Sequence, residues 1–470
     1  MSAGALVGTT SSLRGSITNN AAVTFDQSTP GAYSGVMSGS GSLTKAGSGT
    51  LTLSGANSYS GGTTVSAGSL VAGNASAFGA GAVTVEAGAI LDIIGLLVPN
   101  ALVNNGGTIL GVDTPTGSLS GDNTFSETTI AAVTVTSGTT TFAGPVSGSV
   151  AVDSGAAVVF TSDVNASVTV GGNVSFSAPA SESSAVNVTA GGIATFETGA
   201  SYAGAAITNN GNIVLDVAST FALGGVSGTG SIAVVGTGSV ELNGVNDYSG
   251  TTNVTNGTLI VNGTVSASHV TIGSGGTLGG SGTLGAPLAV QSGGVLSPGN
   301  SPGILAAAEL DLQAGSTTFM QVVGSGASAG TAGTDYDQVQ ITTASSLTYG
   351  GNLVLSFINS PLFDNGTLFS LFQFTGTARG GFTSVRTEGS GSYSGLALQY
   401  NANGNWYTNP DTADGQDLVF SPASGRLAIV PEPSTWVMGA IGAGLVALKA
   451  RRRKRAMRQR RGAESTSPVA

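Results

Sequence analysis

Side chains that could perform acid–base or nucleophilic chemistry are scarce in this sequence. It has 470 residues, no cysteine and a single histidine, His269. His269 directly precedes Val270, the first residue of an apolar V-T-I run, and alternation along a strand turns neighbouring side chains to opposite faces. We therefore expect Val270 to point inward and His269 to be solvated. No Ser-His-Asp or Cys-His arrangement can be built around it, so we predict no catalytic residue.

Two further motifs have the composition of binding sites but not their context. GSGTLG at 280–285 fits G-x-G-x-x-G, but no helical pattern follows it, so dinucleotide binding is not expected. Asp335 and Asp337 in GTDYDQ could ligate a calcium ion. Such a pair is more often a turn and cap feature, and the calcium-binding repeat GGxGxD does not occur. The sequence therefore predicts neither a metal site nor a cofactor.

The charge of the chain is divided between a long acidic part and a short basic end. The whole chain has 14 Lys and Arg residues against 24 Asp and Glu residues. Residues 1–430 hold only five of the basic residues and 22 of the acidic ones, a net charge of −17. Nine basic residues lie between 449 and 461. Nucleic acid needs clustered Lys and Arg on the folded body, so it is excluded as a partner.

The elements that must position any site are predicted to be short β-strands. The chain has 76 Gly residues, only 8% charged residues, and many Val and Thr residues, which favours strands joined by tight turns. Val-x-Val pairs begin at Val133, Val150, Val168 and Val186, with spacings of 17, 18 and 18, and a phenylalanine follows each pair. A period near 18 is too short for a propeller blade and suits one coil of a β-solenoid.

A second, longer repeat is more specific. Residues 39–73 and 228–262 align without a gap at an offset of 189, and they share a G-x-N-x-Y-S-G-x-T core. The shared positions include Asn57 with Asn246 and Tyr59 with Tyr248. This core resembles the autotransporter-associated β-strand repeat, a building block of right-handed parallel β-helices in exported bacterial proteins. Between the two units, over 80–225, only the coil period supports the interpretation.

The expected fold class is all-β: a right-handed parallel β-helix with a β-rich C-terminal cap and a single C-terminal transmembrane helix. The solenoid is expected over 1–305, because GGTLGGSGTLGAPLAVQSGGVLSPGNSPGIL at 275–305 resembles the final coils of such β-helices. Residues 306–425 are richer in phenylalanine and are predicted to cap the open end. Residues 426–470 are predicted to be a sorting signal composed of a linker, an apolar helix and a basic tail.

The C-terminal end has three parts in a fixed order. Pro431, Glu432 and Pro433 come first, and the two prolines stop any element that arrives from the N-terminal side. An uncharged stretch follows at 436–448, and a helix of this length and its flanks is feasible as a thin or tilted membrane span. The apolar residues predicted to lie in the membrane are Trp436, Val437, Met438, Ile441, Leu445, Val446 and Leu448.

A dense basic cluster ends this segment and predicts its orientation. Such a cluster just past an apolar stretch marks the cytoplasmic side, so the body is expected across the membrane. The residues of this basic stop are Lys449, Arg451, Arg452, Arg453, Lys454 and Arg455. The three parts together resemble the PEP-CTERM sorting signal. The resemblance implies recognition by exosortase near the PEP motif, a transient single-pass inner-membrane anchor, and release to the outer surface or the medium of an exopolysaccharide-producing Gram-negative bacterium. An anchor that is never cut is the alternative.

Two functions from different classes are compatible with these features. The first is an exported structural or adhesive surface protein whose polar faces contact exopolysaccharide or cell-surface glycans. The second is a β-helix enzyme that degrades polysaccharide, which would require two or three acids beside an arginine on one solenoid face. The low charge of 39–300 favours the first. The first 20 residues lack the basic and apolar regions of a secretory signal, which predicts a misplaced start codon or a truncated sequence.

Overall fold

The computed structural model describes residues 4–431 apart from 95, 97, 111–115, 121, 126–128, 178–183, 201, 203–205, 300–301, 324–329, 345, 360–362 and 409–415. Over these residues the chain forms short β-strands, and the described residues contain no helix. The predicted all-β class is thereby confirmed. No helix in the described part of the chain has the length and apolar character needed to cross a membrane. The helix predicted at 436–448 lies outside the described residues.

The strands are short because glycine and polar turn residues interrupt every apolar run. The first 27 strands are β1 Ala5–Gly8, β2 Ile17–Thr18, β3 Ala22–Asp26, β4 Gly31–Tyr33, β5 Met37–Ser38, β6 Ser42–Ala46, β7 Thr50–Leu53, β8 Thr63–Val65, β9 Ser69–Ala72, β10 Val83–Glu86, β11 Ile90–Asp92, β12 Leu102–Asn105, β13 Thr108–Leu110, β14 Thr116–Ser120, β15 Asn123–Phe125, β16 Thr129–Val135, β17 Thr139–Phe142, β18 Val146–Val152, β19 Ala157–Phe160, β20 Val164–Val170, β21 Asn173–Phe176, β22 Ala185–Val188, β23 Ile193–Glu197, β24 Ala206–Asn209, β25 Asn212–Asp216, β26 Thr220–Leu223 and β27 Val226–Ser227. The remaining described strands are β28 Ser231–Val234, β29 Ser239–Leu242, β30 Val245–Asn246, β31 Thr252–Val254, β32 Gly257–Val261, β33 Thr264–Val265, β34 Val270–Ile272, β35 Gly276–Gly279, β36 Thr283–Val290, β37 Val295–Leu296, β38 Ile304–Leu312, β39 Thr317–Val323, β40 Gln338–Ile341, β41 Leu347–Tyr349, β42 Asn352–Ile358, β43 Leu368–Ser370, β44 Phe372–Gln373, β45 Arg379–Gly380, β46 Ser384–Gly389, β47 Ala397–Tyr400, β48 Trp406–Thr408, β49 Gln416–Ser421 and β50 Arg426–Pro431.

These strands stack into a parallel β-solenoid of about 15 turns. In the solenoid, strands pair with the equivalent strands of the next coil, so long sheets run along the molecule. One sheet of 13 strands runs from β1 to β27. A sheet of five strands has β4 and β13 at its edges, and a sheet of 17 strands runs from β15 to β45. A further 13-stranded sheet begins at β26 and ends in the cap, and β2 pairs with β5.

The predicted coil period appears directly in the strand register. Val133 lies opposite Val150, Val150 opposite Val168, and Val168 opposite Val186. The phenylalanines that follow these pairs, together with Phe125 before the first pair, form a ladder inside the solenoid, with neighbouring ring centroids 5.0–5.3 Å apart and ring planes within 18° of parallel. Its members are Phe125, Phe142, Phe160, Phe176 and Phe196, and all are fully buried. Offset stacking of this kind adds to the free energy gained by burial.

Parallel pairing continues beyond the predicted end of the solenoid at 305. β38 pairs with β40 and β41, and β39 pairs with β42, which pairs with β46, all in parallel. Among the described strands, antiparallel pairing begins at β46, and β46 to β50 then form a meander that β43 completes. The final strand, β50, runs past 425, so the cap continues into the segment that we assigned to the linker.

Candidate functional site

A depression of about 380 Å³ lies on the outer surface near the C-terminal end of the solenoid. Strand register builds its first row of side chains, one from each of five adjacent strands. Along β34, β36, β38, β41 and β45, the pairing places the following residues side by side: Thr271, Ala289, Asp311, Thr348 and Arg379. At ~4.8 Å per strand, the row is about 19 Å long. We call this depression the outer groove.

A second row of residues lines the same groove two positions earlier on each strand or just before it. Its members are His269, Pro287, Glu309 and Ser346. Side chains two residues apart in a strand point to the same face, about 6.6 Å apart. Glu309 and Asp311 therefore project from β38 in the same direction, and the interior residue Leu310 points the other way and is buried.

The floor of the groove is formed by small and cyclic residues of β36. Ala289 lies between Thr271 and Asp311, so it leaves space where its neighbours have longer side chains. The pairing of β36 with β38 shifts register between Leu284 and Pro287. Proline lacks a backbone N–H group, and inside a sheet it is tolerated at such a bulge. The bulge and the alanine together account for the local hollow in an otherwise regular face.

The groove brings charges of both signs together without neutralising them by direct contact. Glu309, His269 and Arg379 are exposed, and Asp311 is half-buried and accepts a hydrogen bond of 3.2 Å from Gln313. The ion pair in the described part of the chain is between Arg386 and Glu388, at 3.3 Å, and it lies outside the groove. The groove residues can therefore offer carboxylate acceptors and guanidinium, imidazole and hydroxyl donors to a ligand.

His269 is exposed, which confirms its predicted outward orientation. The sequence did not predict that two carboxylates and Arg379 would join it on one face. One local signal existed: E-L-D at 309–311 alternates, so both acids had to share a face. The partners from other coils are far away in sequence and gave no signal.

Of the two aspartates of GTDYDQ, Asp335 is a turn residue, as predicted, whereas Asp337 is buried and joins segments that are distant in sequence. Asp337 is buried, and its carboxylate accepts backbone N–H bonds from Gly303 at 2.9 Å and Gln321 at 2.8 Å. Asp335 accepts from the backbone of Thr331 at 2.7 Å. Burial raises the pKa of Asp337 to about 6, against the opposing effect of the two backbone donors. Among the described residues, no group of three or more His, Cys, Asp or Glu side chains could hold a metal ion.

The shared residues of the long repeat lie inside the solenoid rather than on its surface. The Asn57 amide accepts from the backbone of Met37 at 2.7 Å and donates to Ala77 at 2.5 Å, which ties together three coils. Asn246 likewise accepts from the backbone of Val226 at 3.1 Å, the position equivalent to Met37, and donates to the carbonyl of Thr264 at 3.3 Å. These asparagines satisfy buried backbone groups where the strands bend, so their role is structural.

Both repeats also share a tyrosine and, four residues later, a threonine, and these two residues have a structural role. The Tyr59 hydroxyl bonds to Thr63 at 2.6 Å, and the Tyr248 hydroxyl bonds to Thr252 at 2.5 Å. All four side chains are fully buried. Burial raises the pKa of Tyr59, although its bond to Thr63 opposes the shift. The shared residues of the G-x-N-x-Y-S-G-x-T core therefore have a structural role in folding one coil.

The predicted sorting motif begins at the edge of the described structure. Pro431 is the last residue of β50 and lies opposite Gln416 of β49. The other predicted sorting, membrane and basic residues, from Glu432 onward, lie outside the described residues. The motif therefore starts directly at the end of a paired strand of the cap.

Comparison with known families identifies both predicted sequence features. Residues 43–72 and 234–261 match the passenger-associated-transport-repeat, and residues 430–454 match the PEP-CTERM protein-sorting motif. The chain thus carries a PEP-CTERM sorting motif and two such repeats, as the resemblances implied. No curated protein matches the chain. The sorting motif implies export to the cell surface and processing by exosortase.

Proposed function

We propose that the protein is a structural or adhesive component of the bacterial surface or its extracellular matrix. The observation that carries this proposal is the pairing of a PEP-CTERM sorting motif with a parallel solenoid of about 15 turns. The sorting motif provides an export route, and the solenoid provides a long body with extended outer faces. The body folds without disulfides, since the chain has no cysteine, and its stability comes from stacked apolar residues.

The outer faces have the polarity that contact with hydrated glycans requires. Outward side chains of adjacent coils bond to each other along the axis, as Ser231 does to Asn212 at 2.5 Å and Asn262 to Asn243 at 3.0 Å. Such ladders hold hydroxyl and amide groups at the strand spacing of ~4.8 Å. The proposed partners are exopolysaccharide and cell-surface glycans.

In this proposal, the C-terminal tail directs the export of the body to the cell surface. The apolar stretch 436–448 crosses the inner membrane as a single helix, and the basic stop that begins at Lys449 stays in the cytoplasm. Exosortase cuts near Pro431–Pro433 and frees the acidic body outside. The proposed solenoid is right-handed, as nearly all parallel crossover connections are.

A polysaccharide-degrading enzyme is the second candidate, and the outer groove is the observation that favours it. Glu309 and Asp311 share a face beside Arg379. A glycosidase acid, however, is held protonated by a desolvated pocket, and Glu309 is exposed. The families that match are a sorting motif and a transport repeat, neither of which is catalytic. We therefore prefer binding over cleavage.

A strain that encodes exosortase tests the proposed function. The protein with an epitope tag inserted in the exposed turn at 401–404 is compared with a gene deletion by surface labelling of intact cells and by cell aggregation. We expect surface labelling in the tagged strain, together with loss of aggregation or of matrix retention in the deletion. A protein that stays inaccessible on intact cells, or a deletion that aggregates and retains matrix as the wild type does, would contradict the proposal.

A further inference from the structure

The outer groove concentrates side chains that are rare in the rest of the body. Residues 1–430 contain five basic side chains and one histidine. Lys45 is buried and donates to three backbone carbonyls, and Arg386 is paired with Glu388. Arg379 and His269, by contrast, line one groove together with two carboxylates. In a chain with only 8% charged residues, this grouping sets the groove apart from the regular faces.

We propose that the outer groove binds a segment of a neutral, hydroxyl-rich polysaccharide that lies along the solenoid axis. This inference rests on the proposed function and gives it a site. The volume of about 380 Å³ is within the range of ligand sites. Its length of about 19 Å across five strands suits a linear chain better than a single small molecule.

The chemistry of the lining selects the ligand class. Glu309 and Asp311 accept hydrogen bonds from pairs of hydroxyl groups, and Arg379 donates to hydroxyl or ring oxygens from the cap side. Thr271 and Thr348 add hydroxyls that both donate and accept. A polyanion would meet two carboxylates and a body of net charge −17, so acidic chains are disfavoured, and the mixed donors and acceptors of the lining match the hydroxyl groups of a neutral chain.

The floor of the groove allows a test that leaves every charge in place. Ala289 is outward and half-buried, between Thr271 and Asp311, so Ala289→Tyr fills the groove without entering the core. Ala151 is a matched control, because it is also an outward, half-buried alanine, between Thr134 and Thr169 on another sheet. Ala151→Tyr adds the same side chain at a distance from the groove.

The experiment measures binding of the full chain, purified in a mild detergent, to cellohexaose, mannohexaose and maltohexaose by calorimetry. We expect at least one of these neutral probes to bind and Ala289→Tyr to abolish binding. The combined change Glu309→Gln and Asp311→Asn should weaken binding about tenfold or more, since charge-assisted hydrogen bonds are lost. Ala151→Tyr should bind as the wild type does, and hexagalacturonate should not bind.

The outcomes separate the site from the wider proposal. Binding that survives Ala289→Tyr would overturn the groove as the site and would leave a surface function standing. No binding of any neutral probe by the wild type, or preferential binding of hexagalacturonate, would overturn the ligand class. Release of reducing ends that disappears in the doubly substituted variant would replace binding by catalysis. Surface labelling of cells tests the proposed function independently of all three results.

Discussion

At the scale of single residues, the alternation between inward and outward side chains decides what each position tolerates. Val168 and Val170 of β20 are buried, and Thr169 between them is only half-buried on the outer face. This pattern was predictable, because a two-residue period can be read directly from V-T-V. The inward position of Lys45 was not predicted from the sequence. Its Nζ donates to the carbonyls of Ala46, Gly47 and Ala67 at 2.8–2.9 Å, and the fold brings the last of these acceptors from the next coil.

Substituting aspartate at two adjacent positions tests this alternation. Val170→Asp places an unpaired charge in the dry interior and should destabilise the protein by about 4 kcal/mol or more. Thr169→Asp leaves its charge in solvent and should change stability by less than about 0.5 kcal/mol. Urea denaturation of the two variants gives the comparison. Equal shifts in the unfolding midpoint would show that the faces are wrongly assigned.

Asp337 predicts a pH dependence of stability. Its pKa is about 6 in the folded protein, above the ordinary value of 3.8. Between these values the folded state holds a proton that the unfolded state has released, so the contribution of Asp337 to stability is fully present below pH 3.8 and is lost as pH rises through 6. The loss attributable to this group is about 3 kcal/mol. Urea midpoints measured from about pH 4 to about pH 7 should show this decrease for the wild type.

The substitution Asp337→Asn identifies the group responsible. It should flatten the decrease that the wild type shows as pH rises toward 6, whereas Asp153→Asn, at an exposed turn, should leave it unchanged. A wild-type slope that persists in Asp337→Asn would assign the dependence to another group. The buried carboxylate could not be foreseen from GTDYDQ, because its donors Gly303 and Gln321 come from other coils.

At the scale of elements, the long repeat describes how one coil packs on the next. Gly68 and Gly257 are equivalent positions of the two repeats, and both have a left-handed backbone, with φ of +66° and +67°. A Cβ at Gly68 would lie 2.5 Å from the carbonyl oxygens of Gly47 and Gly49 in the preceding coil. The sequence predicted the repeat and its turns, whereas this close approach between coils needs the stacked structure to be seen.

The variant Gly68→Ala should therefore lose more stability than backbone strain alone explains. Gly88 is the matched control, because it also has a positive φ, +77°, but a Cβ at this position would meet no atom within 4 Å. We expect a cost of about 1 kcal/mol for Gly88→Ala, from strain alone, and about 3 kcal/mol or more for Gly68→Ala. Thermal and urea denaturation of the two variants measure these losses of stability. Similar costs would mean that the coils separate easily at Gly68.

At the scale of the whole molecule, the regular part was predictable and the irregular part was not. A constant coil length near 18 allowed the register of Val133, Val150, Val168 and Val186 to be read from sequence alone. In the outer groove, residues in one row are separated by 18, 22, 37 and 31 positions along the chain. No fixed period connects them, so their proximity depends on loops whose lengths carry no register signal.

Parallel pairing continues past 305, where the composition changes, for a related reason. The S-P-G-N-S-P-G segment and the rise in phenylalanine after 305 marked a change of composition, which we took as the start of the cap. The structure continues parallel pairing to β46, because longer loops between β38 and β46 still return each strand to its place in the stack. Aromatic residues fill this wider end of the core, as Phe372 and Phe420 do beside Tyr349.

Intact mass shows most directly whether this chain is a surface solenoid delivered by its tail. The protein is recovered from the surface and medium fractions of a host that encodes exosortase, beside a variant with Pro431, Glu432 and Pro433 all changed to Ala. We predict a wild-type product that ends near Pro431, lacks Arg451–Arg461 and has a net charge near −17. The variant should remain uncut in the membrane fraction. A product that retains Arg451–Arg461, at equal levels in wild type and variant, would contradict delivery by the tail.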